Sequence, residues 1–353
     1  MFLDNTLNTI NKKKIINNRK NKNISIELLR MILCFWIVTI HTCTFKNKKF
    51  SKIIKSRFHV PSFMVISFFF FHKSLYTRNI YKIRARFERL LFPYFIWPIV
   101  ILIINNLLLL MKFEGIFDRK LTIYDLILSF VYGRHINAIF WFQFDLLFVS
   151  LLFSIISFIF KKKFLMVINL FLLLSYYLQY SGINYKYFSK YNNENYRSIG
   201  SIVEMIPFNV TGMILCHFNI INKLREKKFY TIGICIIIIY SLLQLGIFTN
   251  IHGIRYPGVH FNIAGTSLFI LFYILPTEYI KNIQLLKMIL FFTNYTGGIY
   301  YMHLIFFRYL KKKFIFIKDK SFKGTIIIYC LNFLFCLIGY KLFYKFRLKY
   351  LFV

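Results

Sequence analysis

Arg30 and His41 stand in one apolar run, residues 24–45, with ten residues between them. A charged side chain inside a spanning helix costs several kcal/mol and is kept mainly where it faces protein, water or a substrate path. Eleven helical steps return to within roughly 20° of the starting direction and rise about 16 Å, so both residues share a face. Imidazole titrates near neutrality and can take the proton of an alcohol. A guanidinium on the same face can stabilise charge developing on an oxygen. Glu27, three residues before Arg30, is its neighbour on the helix and can orient and partly neutralise it. The plainer alternatives are an ion pair that seats the helix at the interface and a hydrogen-bonded core histidine.

A second basic pair lies in Arg84-Ala85-Arg86-Phe87-Glu88-Arg89-Leu90-Leu91-Phe92-Pro93-Tyr94. Arg86 and Arg89 are three apart, on one helical face at the mouth of an apolar stretch. The planar guanidinium fork binds two phosphate oxygens at once. A positive-inside anchor explains one or two of these charges. It explains less well an arginine pair that enters the span itself. Asp145 and Glu204 are intramembrane acids, and such groups have a partner or a task. The Tyr- and Asn-rich segment 176–197 suits sugar faces, but an interfacial aromatic belt accounts for it as well.

These residues need a membrane scaffold. The chain has 353 residues, of which 58% are hydrophobic. Such a balance excludes an ordinary soluble domain and predicts an all-α polytopic membrane protein. We expect about ten transmembrane helices in a single bundle, at 24–45, 60–76, 89–111, 139–160, 164–181, 199–220, 229–248, 258–276, 285–307 and 324–344. The apolar stretch 121–132 is too short to span and reads as re-entrant or interfacial. The net charge of +35 sits in short clusters between spans, where it meets lipid headgroups, so nucleic acid is not an expected partner. Codon bias toward Phe, Tyr, Ile, Asn and Lys accounts for part of this composition.

Six cysteines fall mostly in apolar runs without a CxxC pair, which predicts buried thiols and neither disulfide nor metal site. The polar start, residues 1–23, is not a cleaved signal peptide. Lys and Arg are nearly balanced between the two sides and slightly favour a cytoplasmic N-terminus.

At the two arginine spacings the chain resembles the acyltransferase 3 family of integral-membrane O-acyltransferases. That family carries an Arg, ten residues and a His in its first span, and an Arg-x-x-Arg motif opening a later one. Arg30 with His41, and Arg86 with Arg89, match both, and Glu27 stands where the family has an acid. His59-Val60-Pro61-Ser62-Phe63 followed by Ser67 resembles its His-x-Pro-x-Phe run ending in Ser. Phe140-Trp141-Phe142 and Gly298-Ile299-Tyr300-Tyr301-Met302-His303 resemble two further segments, in family order. Two departures stand out: Phe68 follows Ser67 where the family has Gly, and Gln143 follows Phe142 where it has Leu.

The resemblance implies an acyltransferase domain over 24–345, between a basic tail at 1–23 and a short basic tail at 346–353. It implies an acyl-CoA donor, acetyl-CoA in the first instance, and a carbohydrate acceptor: a cell-surface polysaccharide or its lipid-linked precursor. His41 would be the general base or a transient acyl carrier, with Arg30 and Glu27 beside it. Arg86 and Arg89 would hold the donor's phosphates or pantetheine arm, and His59, Ser67, Trp141 and His303 would line the acceptor site. The expected location is the cell membrane, multi-pass, among membrane lipids. A polysaccharide flippase, polymerase or exporter has the same hydropathy and is the alternative. Oligomeric state is silent in the sequence. His72, His135, His217, His252 and His260 carry no distinguishing context.

Overall fold

The computed structural model describes residues 23–43, 59–133, 135–136, 140–180, 194–251, 259–275, 283–314, 317, 321–344 and 351–352. Among these are thirteen α-helices: α1 (Ile24–Thr42), α2 (His59–Tyr76), α3 (Ile80–Leu110), α4 (Ile123–Tyr132), α5 (Phe140–Phe160), α6 (Phe164–Tyr180), α7 (Glu194–His217), α8 (Ile220–Glu226), α9 (Lys228–Ile251), α10 (Val259–Ile274), α11 (Ile283–Thr293), α12 (Thr296–Lys313) and α13 (Phe322–Phe343). The fold is an all-helical membrane bundle. Nearly all of the N-terminal tail, the loop 46–57, His252 and Tyr185, Tyr187 and Tyr191 lie outside the described residues.

Among the described residues four helices, α1, α3, α5 and α13, are long and apolar enough to cross a bilayer, and α7 with α8, bent by 64°, meets the same measure only as a pair. The other expected spans appear as helices at the anticipated places. By their described residues, α6, α9, α10 and α11 are apolar but shorter. In α2 the polar residues His59, His72 and Lys73 dilute an otherwise phenylalanine-rich run. The expected ninth span, 285–307, is two helices: the chain turns at Asn294–Tyr295 between α11 and α12. The stretch expected to be short is α4, ten residues long. It opens on a capping box, in which the Thr122 hydroxyl accepts from the Asp125 N–H and the Asp125 carboxylate accepts from the Thr122 N–H. It closes on Gly133 at φ +68°, a left-handed conformation that glycine adopts without a Cβ clash.

The helix starts follow local rules. Asn23 caps α1 by accepting from the Ile26 N–H, and Asn79 caps α3 by accepting from the Lys82 N–H. That second cap makes α3 31 residues long, so its arginine-rich first turns lie ahead of the apolar part.

Two apolar clusters form the interior. One joins α2, α5, α6, α7 and α10 around Met64, Phe68, Val149, Phe153, Met213 and Phe269. The other joins α3, α12 and α13 around Trp97, Ile101, Ile299, Ile328 and Cys336. Helix α1 serves both, through Leu29 and Leu33 on one side and Cys34 and Val38 on the other. The absent family glycine after Ser67 is offset by glycines on α2's neighbours. A Cβ on Gly212 of α7 would meet the Val65 carbonyl oxygen at 2.4 Å, and one on Gly265 of α10 would meet the Ser62 nitrogen at 2.9 Å. Small residues at these points let backbones approach closely. Leu351 and Phe352, in the segment expected as a basic tail, are buried; Trp97 Nε1 donates to the Leu351 carbonyl at 3.3 Å.

Candidate functional site

Helix α1 carries the first pair. The stripe between Arg30 and His41 runs through Cys34 and Val38, both buried. It faces α12, since the Cys34 thiol reaches the Thr296 carbonyl at 3.4 Å. The two chemical groups therefore sit at opposite ends of a packed seam, about 16 Å apart along the axis. Arg30 Nη1 donates to both Glu27 carboxylate oxygens at 3.3 and 3.4 Å. Glu27 thus lies where sequence spacing put it, as the partner of Arg30.

His41 ends the seam. It is exposed, and its ring centroid lies 5.4 Å from that of His303 on α12. His303 is fully buried. An aromatic chain leads on from it. Tyr300 lies 6.1 Å from His303, Phe142 lies 5.4 Å from Tyr300, and Phe63 lies 6.2 Å from Phe142. Trp141 stacks edge-on against Phe142 at 6.1 Å. His59 is buried one turn before Phe63. The first turns of α2 and α5 and the middle of α12 therefore meet at the level of His41.

The second arginine pair separates. Arg86 is half-buried between α2 and α5: Nη2 donates to Ser67 Oγ at 2.8 Å, Nη1 to the Ser67 carbonyl at 3.4 Å and Nε to Ser150 Oγ at 2.9 Å. The Phe71 and Phe68 rings lie 4.3 and 4.9 Å from its guanidinium carbon, a cation–π arrangement. Ser67 is thus brought to Arg86, away from the His41 level. Arg89 is exposed, and its Nε donates to the Ala85 carbonyl at 3.1 Å. Ser67 is one turn beyond Phe63 and Ser150 two turns beyond Phe142, so Arg86 lies roughly 10 Å from the aromatic level along the bundle axis.

Several functional groups had no reading in the sequence. Ser150, Ser154 and Ser157 recur on one face of α5: Ser150 takes Arg86, Ser154 bonds the Ser150 carbonyl, and Ser157 donates to the Leu75 carbonyl. Their helical spacing inside an apolar run was the available signal. Asp145, one of the two acids singled out in the sequence, is fully buried and accepts from Ser201 Oγ at 3.0 Å. His72 Nε2 lies 3.3 Å from His217 Nδ1, pairing α2 with α7. His135 Nε2 lies 2.7 Å from Asp125, which Arg119 also grips with two N–H groups at 2.6 and 2.9 Å. This Arg119 fork holds the Asp125 carboxyl well below the usual carboxylate range despite burial, helped by Thr122 and His135. A cavity of about 650 Å³ between α4, α5, α6 and α7 is lined by apolar side chains such as Phe148, Phe171 and Ile206. It contains none of the chemical groups above.

The fold defines a polytopic helical membrane protein that carries the two arginine motifs on α1 and α3. Comparison with protein families gives the particular one. The acyltransferase 3 family, an acyltransferase domain, matches residues 23–342, and the chain belongs to it. The protein is therefore a membrane acyltransferase. Neither a curated protein nor a solved structure matches it.

Proposed function

We propose that this protein moves an acetyl group from acetyl-CoA to a hydroxyl of a cell-surface polysaccharide or its lipid-linked precursor. The observation that carries the reading is the seam on α1, which puts an exposed imidazole at one end and an acid-oriented guanidinium at the other. His41 takes the proton of the acceptor hydroxyl as the oxygen attacks the thioester carbonyl. Arg30, steadied by Glu27 and about 16 Å along the helix from His41, orients the donor through its negatively charged groups. Arg89 is exposed and meets the donor's phosphates, while Arg86, fixed by Ser67 and Ser150, adds a half-buried positive charge behind it. Trp141, His59 and His303 stand near the acceptor.

In this reading the protein lies in the cell membrane with a cytoplasmic N-terminus, the side that the slight excess of Lys and Arg favours. Membranes containing it, given radiolabelled acetyl-CoA and the candidate glycan, should place label on the glycan in a form released by mild base, as an O-ester is. Glycan movement without incorporated label would favour a flippase or exporter.

A further inference from the structure

We propose that His303 is a positioning residue for His41: its buried Nε2 accepts the ring N–H of His41 and stabilises the proton that His41 gains during transfer. The inference rests on reading His41 as the general base and deepens that reading.

His303 Nδ1 lies 2.8 Å from the Tyr300 carbonyl oxygen and 3.3 Å from that of Ile299. Carbonyl oxygens only accept, so Nδ1 carries the hydrogen and Nε2 the lone pair. The backbone of α12 thereby fixes one tautomer. With Nδ1 tied to its own helix, Nε2 points away from the α12 backbone. It is buried and has no hydrogen-bond partner among the described residues. A buried acceptor without a donor is destabilising. Such a site calls for a donor that arrives during function.

The His41 ring supplies one. It stands 5.4 Å away, centroid to centroid, tilted by 37°. Because His41 is exposed at the end of α1, a small side-chain rotation brings a ring N–H within hydrogen-bond reach of Nε2. The rest of His303 is clamped, so the adjustment falls on His41.

The proton inventory closes. The acceptor O–H gives its proton to the ring nitrogen of His41 that does not face His303, a C–O bond forms and the C–S bond of the thioester breaks. His41, now imidazolium, donates its other N–H to His303 Nε2 without losing it. The first proton then passes to the departing thiolate. His303 keeps its own hydrogen and its net charge throughout, and does for His41 what a carboxylate does for the histidine of a Ser-His-Asp triad.

A purely packing imidazole would make the opposite prediction on substitution. His303→Leu keeps the apolar volume and removes the acceptor, and His303→Phe is a second such variant. His303→Gln puts an amide oxygen close to where Nε2 lies. Two readouts separate the roles. The first is the steady-state rate, with kcat and donor KM resolved. The second is carbethoxylation of His41 by diethyl pyrocarbonate in intact membranes, followed by mass spectrometry, which needs no turnover.

The expected result is a fall in kcat of about 100-fold for Leu and Phe with donor KM changed little, and slower His41 modification, both largely restored by Gln. The inference is overturned if Leu or Phe modifies and turns over as the parent does, or if Gln is no better than they are. If His41→Ala retains transfer while His303 variants still slow His41 modification, the base assignment fails and the contact stands.

Discussion

At the scale of single residues, spacing and geometry agree for one pair and diverge for the other. Glu27 and Arg30 meet as helical neighbours must. Arg86 and Arg89 share a spacing but not a surrounding, because one turn of α3 faces Ser67 and Ser150 while the other is exposed. Arg86→Lys keeps the charge but cannot reach both serines with a single ammonium. It should lower stability by about 1.5–3 kcal/mol, the range for hydrogen bonds to a charged group. Arg89→Lys should stay within about 0.5 kcal/mol. Thermal unfolding in detergent reads the difference, and equal shifts for the two would remove Arg86's special place. The arginine motifs could be read directly because a charge in an apolar run is conspicuous. The Ser150 partner was not, since a serine is tolerated in any spanning helix. Nor was the His41–His303 approach, which depends on how α1 and α12 pack rather than on either stretch alone.

At the scale of elements, α4 is held by charge and α2 by close packing. The Asp125 carboxyl is held below its ordinary range by Arg119 first, against the opposing effect of burial. A depressed folded value means that the stabilisation is fully present above the unfolded pKa of about 4 and drains away as pH falls below it. Protease resistance of the segment around α4 should therefore decline below about pH 4, and Asp125→Asn should be weaker at neutral pH and flat across that range. An acid loss in Asp125→Asn matching the parent's would assign the effect elsewhere. For α2, Gly212→Ala forces a Cβ to within 2.4 Å of a backbone oxygen and should destabilise by about 1–3 kcal/mol. Gly233→Ala, with nothing within 4 Å of the added atom, should be neutral or gain up to about 1 kcal/mol from helix propensity. Comparing the two melting temperatures tests whether close approach at α2 carries stability. Helix positions were largely visible in the sequence, because apolar length marks them well. The break at Asn294–Tyr295 was hidden, since a turn between two apolar helices leaves the hydropathy of 285–307 nearly unbroken.

At the scale of the whole molecule, α1 stands between two apolar clusters and displays a reactive group at each end of one packed seam. The bundle and the family together give a membrane acyltransferase. The donor, the acceptor and the role of each side chain are the part that rests on the site. Family membership was legible because five short motifs fall in order along the chain. The acceptor was not, and the aromatic side chains of α2, α5 and α12 meet near His41 through packing that no single segment encodes. The central claim is that His41 takes the proton of the acceptor hydroxyl. It is tested most directly by measuring label transfer from acetyl-CoA in membranes carrying equal amounts of inserted parent protein and of the His41→Ala variant. The account predicts a loss of at least about 100-fold in kcat for the variant, as removal of a general base requires. Transfer by His41→Ala at the parent's rate would contradict it.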